Sequence, residues 1–270
     1  NGYLPYDLVF MVDNGANGAS CEPILPLLQD GRKTKGWGGS MFFTAALWNE
    51  SMRNVTGLLP GTTANNWAGM RARPEFVAKF TDNPESFVGK TTAEIRAMGI
   101  DDRALLWGCG SGNDERTLDL GDNSSFFQGL AITKWNNNYS NGGTPHDAFD
   151  VDTDFFLLRL AEAYLNAAEA DMHINGEGSP KAKKYIDALR NRAHAATQGS
   201  YDLRYVLDER SREMYCELTR RTDLIRYNQF GGEQATYTWS YKGGSPSGTT
   251  FDKSRNLYPL YIDELLANSN

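Results

Sequence analysis

Hydrophobic positions recur at helical spacing between Asp154 and Phe230, and the rest of the chain is organised around that stretch. In FFLLRLAEAYLNAAEADMHI, Leu158, Ala161, Leu165, Ala168 and Met172 follow one another at alternating three- and four-residue steps. That rhythm keeps apolar side chains on one face of a helix. A break at Asn175, Gly176 and Gly178 precedes Ser179 and Pro180, which supply an N-cap and a first-turn proline for a second helix. Ala182, Tyr185, Ile186, Leu189 and Ala193 line its face. Small residues at the facing positions (Ala161, Ala168, Ala182, Ala193) and a short polar loop describe an antiparallel hairpin of tetratricopeptide type. One such unit cannot bury its own faces, so it calls for stacking neighbours.

A third helix is expected from about Leu203, with Leu203, Leu207, Met214 and Leu218 as its apolar stripe. Within ERSREMYCELTRRTDLIRYNQF, Glu209 with Arg212, Arg210 with Glu213, and Glu217 with Arg220 or Arg221 are spaced to pair along it. Glu209, Glu213 and Asp223 could be read as catalytic carboxylates. Nothing nearby supplies a nucleophile or a metal set, so a network that stabilises and positions the helix accounts for them better.

The flanking segments are less regular. TTAEIRAMG reads as a short helix opened by Thr92 ahead of Glu94. GLAITKW is a strand candidate, Phe76, Val77 and Phe80 are expected to face inward, and Trp48 lies in an apolar run that suits the core. Tyr237, Trp239 and Tyr241 alternate as in a strand or extended segment with one aromatic face, packing onto the helices being the safer reading, and IDELLAN forms a terminal helix. Gly108, Gly110 and Gly112 lack the lysine–serine pair of a phosphate loop and read as a plain loop or hairpin. The acids Asp147, Asp150, Asp152 and Asp154 lack the glycine and distal glutamate of a calcium loop, and are expected to cap amides at the start of the following helix.

Composition narrows the function classes. The chain has 270 residues, 40% hydrophobic and 23% charged, enough for a sizeable core. A net charge of −7 argues against nucleic acid, which selects basic surfaces. No apolar run reaches transmembrane length. Cys21, Cys109 and Cys216 are far apart and odd in number, which makes neither a disulfide framework nor a zinc cluster. His146, His173 and His194 are scattered without metal-ligand spacing, and no G-x-S-x-G elbow occurs.

The candidate chemistry is aromatic. Trp37 stands among Gly36, Gly38 and Gly39, which cannot cover an indole. An uncovered tryptophan offers the flat apolar face that stacks on the C–H face of a sugar ring, while amides and carboxylates take the hydroxyls. The competing reading has Trp37 filling a gap in a loop-rich core. Asn65, Asn66 and Trp67, in TTANNWAGMRARPEFV, make a second sugar-binding group, and Tyr139 in the polar loop NNNYSNGGTP is a further exposed candidate. Four sequons, at Asn49, Asn54, Asn123 and Asn138, matter only if the protein is secreted by a eukaryote.

LRLAEAYLNAAEA, YIDALRNRAHA, ERSREMYCELTRRTDLIRYNQF, TWSYKGG and NLYPLYIDELLANSN, in that order, resemble the C-terminal half of the SusD/RagB family of outer-membrane nutrient-binding lipoproteins. Glu209, Arg210, Glu213, Arg221, Asp223, Leu224 and Arg226 fill the family's third-helix pattern, and Lys134 stands where members commonly carry a lysine. QDG, WGG, NNWAG and RARPEFV extend the likeness back to about Gln29. Leu218 and Thr219 depart from it, since members usually have a glycine there. The resemblance implies a mainly α fold in which tetratricopeptide-like hairpins support a loop-rich, weakly β ligand-binding region. The loop-rich region would occupy residues 1–150 and the helical region 151–270, together one structural domain and a fragment of a longer chain. It further implies a surface-exposed lipoprotein, anchored through an N-terminal lipid, that captures oligosaccharide and passes it to a SusC-like TonB-dependent transporter. No cofactor is called for. Peptide ligands also occur in the family. Two other classes remain beside this reading: a glycoside hydrolase, which needs only two carboxylates at an aromatic sugar site, and a tetratricopeptide adaptor for a protein partner.

Overall fold

The structure, a computed structural model, describes residues 2–49, 52, 66–110 and 115–268. Two units divide the chain, one running to Leu218 and the other from Thr219 onward. In the first lie helices α1 (Pro5–Leu8), α2 (Ser40–Leu47), α3 (Pro74–Val77), α4 (Thr92–Ala97), α5 (Leu160–Asn175), α6 (Pro180–Arg192) and α7 (Leu203–Met214). Its strands are β1 (Pro23–Leu27), β2 (Leu106–Trp107), β3 (Ala131–Ile132) and β4 (Phe155–Arg159), paired antiparallel as β1–β4 and β2–β3. The second unit holds α8 (Arg220–Arg226) and α9 (Ile262–Ala267).

The tetratricopeptide-type hairpin is present. α5 and α6 bury Ala161, Leu165, Ala168 and Met172 against Ala182, Ile186 and Leu189, with Val206 and Met214 of α7 closing the layer. Gly176, at φ +90°, ends α5 in a conformation that favours glycine. Ser179 caps α6 by accepting from the Lys181 amide, and its own hydroxyl donates to Asp171 on α5, so the cap ties the two helices together.

Several expectations are corrected. Residues 155–159 form a strand, because β1 offers them a backbone partner and the run of two phenylalanines and two leucines suits a sheet. Helix α5 therefore starts only at Leu160, and Leu158 lies exposed on the sheet. The third helix stops at Met214; Tyr215 is extended, and Cys216 (φ +57°) and Leu218 (φ +65°) turn left-handed before α8 begins. Thr91 rather than Thr92 caps α4, accepting from the Glu94 amide while the Glu94 carboxylate accepts from the Thr91 amide. Tyr237, Trp239 and Tyr241 lie in no strand among the described residues, in keeping with packing onto helices as the safer reading: Arg220 of α8 lies over the buried Tyr237 ring, and Trp239 packs with Phe230 and Phe251 inside the second unit.

The core of the first unit is aromatic. Phe43, Trp135 and Phe155 stack nearly parallel, with centroids 5.2–6.1 Å apart, and Trp48 is buried beside them with its Nε1 donating to the Trp135 carbonyl at 2.6 Å. GLAITKW contributes β3, and Val77 and Phe80 are buried as expected while Phe76 packs against the same core.

The charges of α7 are spent inside the molecule. Glu209 accepts from Arg212 as its spacing predicted, and also from Arg103 at 2.7 Å and Arg190 at 2.9 Å. Glu213 takes Arg103, Arg159 and Arg192, while Arg210 turns to Asn166 instead. Glu217 pairs with Lys134 and Arg159 rather than along the helix. Burial alone would raise both carboxyls, but the surrounding guanidiniums more than reverse it: Glu209 is lowered to about 2 and Glu213 lies well below its ordinary value. Fully buried, Lys134 donates to the Glu213 and Tyr215 carbonyls and sits over the Phe10 and Tyr215 rings at 4.4 and 4.2 Å. Loss of hydration lowers its pKa to about 8.

Candidate functional site

Helix α2 builds the site. Its buried face (Met41, Phe43, Ala45, Ala46, Leu47) enters the core, and Phe42 alone among its large side chains points out, 43% exposed. Gly39, at φ +60°, turns the preceding loop into the helix with Phe155 close behind, where an added Cβ would come within 3.4 Å of that side chain. Trp37 lies just before this turn and is 63% exposed. The gap-filling reading of Trp37 does not hold.

Trp67 arrives from a different direction. Its backbone amide donates to the Ala45 carbonyl at 3.1 Å, and the amides of Ala68 and Met70 donate to Trp48 and Ala46. These bonds satisfy carbonyls that the last turn of α2 leaves without helical partners. Residues 67–70 are thereby laid along the end of α2, which places the Trp67 indole, 41% exposed, beside Trp37. The two indole centroids are 5.4 Å apart and tilted by 42°, and Trp67 meets Phe42 at 6.3 Å and 60°. Three partly exposed rings thus form one continuous, twisted apolar platform.

The loop carrying Trp37 is held from below. Lys35 pairs with Asp147 at 3.3 Å and Asp150 at 3.1 Å, and these hydrogen bonds raise its pKa. Asp152 accepts from the Gly31 amide at 2.8 Å and Asp154 from the Gln29 amide at 2.7 Å. The acidic run does cap amides, as expected, but those of the loop at residues 29–31; strand β4 intervenes before the helix. His146 Nδ1 lies 3.1 Å from Asp152 and 3.8 Å from Asp30, so three side chains with ligand-type atoms converge within 4.8 Å. The His146–Asp152 hydrogen bond, and the amides of Gly31, Arg32 and His146 that donate to Asp152 and Asp30, account for that convergence.

The remaining candidates are placed less centrally. Asn66 is half-buried next to Trp67. Asn65 falls outside the described residues. Tyr139 is half-buried, its hydroxyl pKa raised by burial and then by Asp152, Asp13 and Asp30, and it makes no ring contact with the tryptophans among the described residues. Phe42 was not among the sequence candidates. The signal for it is the pair of phenylalanines in SMFFTAAL, of which helical spacing lets only one face the core.

The second unit has a polar cavity of about 610 Å³ between Asn228–Gln234 and Thr250–Asn256. Its lining is mostly exposed polar chain, with Phe251 half-buried in contact with Phe230 and Trp239. It lacks the open ring faces that α2 and Trp67 provide.

Comparison with known proteins places this architecture. The chain is 34% identical to the starch-binding protein SusD of Bacteroides thetaiotaomicron over an alignment of 294 positions, covering 98% of this chain and 51% of that protein. Among solved structures, a SusD-like protein from Bacteroides fragilis matches all of the chain and 56% of its own length with a TM-score of 0.65 at 20% identity. The surface glycan-binding protein A of Bacteroides thetaiotaomicron, solved with laminarihexaose, matches 95% of the chain and 52% of its own length with a TM-score of 0.57 at 18% identity. This chain therefore spans about half the length of those relatives. The SusD family model matches residues 44–265, and with that match and the 34% identity to starch-binding SusD over 98% of the chain, this chain belongs to the SusD family.

Proposed function

We propose that the protein captures oligosaccharide at the bacterial cell surface and passes it to a SusC-like TonB-dependent transporter in the outer membrane, held there by a lipid anchor. The observation that carries the reading is the platform of Trp37, Phe42 and Trp67, three partly exposed rings in mutual contact. Sugar rings stack on such faces through their C–H groups, and capture needs no reacting residue. Its 42° and 60° tilts favour a glycan that turns along its length over a flat ribbon. A relative named for starch binding and another solved with laminarihexaose support the glucan class.

A hydrolase reading gains little from the same geometry. Glu209 and Glu213 are fully buried and paired to arginines, so neither reaches a ligand. Asn66, next to Trp67 in sequence, and Tyr139 are proposed as further polar contacts for the ligand, and Asn65 is carried with them as a sequence neighbour.

Calorimetric titration with malto-oligosaccharides, laminari-oligosaccharides, cello-oligosaccharides and peptides tests the assignment. Binding of the first two without product formation is expected, weakened about tenfold or more in Trp37→Ala and Trp67→Ala, which corresponds to about 1.4 kcal/mol or more per ring. Tight binding of peptides alone, ligand cleavage, or affinities untouched by both substitutions would sink it.

A further inference from the structure

The polar cavity of the second unit carries chemistry that the platform does not use. Its volume of about 610 Å³ falls within the range of small-molecule sites, roughly 300–1,000 Å³. The two walls, residues 228–234 and 250–256, are bonded to each other. Gly231 and Phe251 pair in a parallel bridge, the Gly232 amide donates to the Phe251 carbonyl at 2.9 Å, and Asn256 Nδ2 donates to the Gly231 carbonyl at 3.2 Å. A Cβ on Gly231 would lie 2.7 Å from the Asp252 carbonyl oxygen, so the walls meet only because that residue is glycine. Gln229 braces the same loop, its side-chain oxygen accepting from the Tyr237 amide at 3.0 Å and the Thr236 hydroxyl at 3.1 Å. Contacts within the unit therefore shape the concavity without a ligand.

The lining mixes donors with acceptors. Asn228, Gln234 and Lys253 offer amide or ammonium donors, and Glu233 and Asp252 offer carboxylates. Among the described residues, the side chains of Asn228, Glu233, Gln234 and Lys253 make no hydrogen bond within the protein. Asp252 accepts from the Ser254 amide at 2.8 Å, and the hydrogen bonds of Ser254 hold its carboxyl below the ordinary value, so it is an acceptor at neutral pH. Asn256 keeps a buried side-chain oxygen that has no donor among the described residues. One apolar surface is present: Phe251 is half-buried and backed by Phe230 at 5.0 Å and Trp239 at 6.3 Å.

That mixture restricts the ligand. An anion would meet two carboxylates, and a metal ion would find only those two beside an ammonium. An apolar molecule would strip water from the polar lining and return no hydrogen bonds. A hydroxyl group both donates and accepts, so a compact neutral polyol satisfies amides, carboxylates and ammonium alike, while a C–H face of its ring covers Phe251. We infer that this cavity is a second saccharide site, which takes a mono- or disaccharide mainly through hydrogen bonds to Glu233, Gln234, Asp252 and Lys253. Its part in glycan capture rests on the function proposed above; its chemistry does not.

Nuclear magnetic resonance of the ¹⁵N-labelled chain, titrated with maltose, laminaribiose, cellobiose and galactose, tests the inference. At least one of these sugars should shift the amides of Gly231, Gly232 and Gln234 and saturate them at on the order of 1–10 mM, an affinity that a few hydrogen bonds and one ring supply. Trp37→Ala combined with Trp67→Ala should leave these shifts in place, which separates failure of the platform from failure of this site. Thr250→Trp, at an exposed lining position, should fill the cavity and abolish them. Glu233→Gln should weaken binding about fivefold with the melting temperature unchanged. Absence of saccharide shifts at residues 231–234 in the parent chain, shifts that Thr250→Trp spares, shifts that vanish with the two tryptophans, or tighter binding of dipeptides than of sugars at these amides would each overturn it.

Discussion

Glu209→Gln removes one charge from the centre of the buried network while keeping the shape of the side chain. Glu209 is inaccessible to solvent and accepts from Arg103, Arg190 and Arg212. Breaking a buried ion pair on one side costs about 3–5 kcal/mol. The lower end applies here, because Arg103 keeps Asp101 and Glu213, Arg190 keeps the Ala196 carbonyl, and Arg212 keeps the Lys79 carbonyl. The lowered pKa leads to the same size independently: a fall from 4.5 to about 2 corresponds to on the order of 3 kcal/mol of stability at neutral pH. Its sign is fixed, since a carboxyl depressed in the folded state contributes fully above its unfolded pKa and loses that contribution as pH falls towards about 2. Thermal denaturation of both proteins at several pH values reads this out. At pH 7 the variant should melt lower by roughly 6–12 °C, taking about 2–4 °C per kcal/mol for a domain of this size. The gap should shrink through the window from 4.5 down to about 2, where the wild-type carboxyl also becomes neutral. A variant as stable as the parent at pH 7, or a gap that does not change with pH, would refute the reasoning.

Leu218→Gly should stabilise the chain by about 0.5–1 kcal/mol in urea denaturation, because a left-handed leucine costs about 1–2 kcal/mol and glycine returns part of that gain as backbone entropy. At 74% exposure the leucine gives up little buried surface when removed. Trp37→Ala should change stability by less than about 1 kcal/mol, whereas Trp48→Ala, which empties a buried site and strands the Trp135 carbonyl, should cost about 3–5 kcal/mol by the same assay. Ser179→Ala should cost about 1–2 kcal/mol, measured by thermal melting, through loss of the α6 cap and of the Asp171 contact.

Helices α5 and α6 were legible because their apolar residues repeat at a period that no other local structure shares, and Gly176, Ser179 and Pro180 mark the join. Strand β4 was not legible. Leu157 and Leu158 continue a helical rhythm, and only the arrival of β1, more than 100 residues earlier in sequence, makes that stretch a strand. The end of α7 hid for a related reason: Lys134, Trp135 and Arg103 claim the Tyr215 carbonyl, the Cys216 carbonyl and the Tyr215 hydroxyl, and local spacing carries no trace of those partners. The glycine that relatives place near Leu218 was the one visible sign of a left-handed turn.

For the site, the sequence determined that Trp37 could not be covered by its own neighbours and that Trp67 stood beside asparagines, since these are properties of adjacent residues. It also settled the family, because ordered motifs survive where pairwise contacts cannot be read. Tertiary structure alone decided that Trp37 and Trp67 share a platform, that Phe42 joins them, and that Tyr139 makes no ring contact with the tryptophans among the described residues. Those outcomes depend on which backbone carbonyls at the end of α2 needed partners and which loop amides the aspartates could reach. Such needs arise only once the chain has packed.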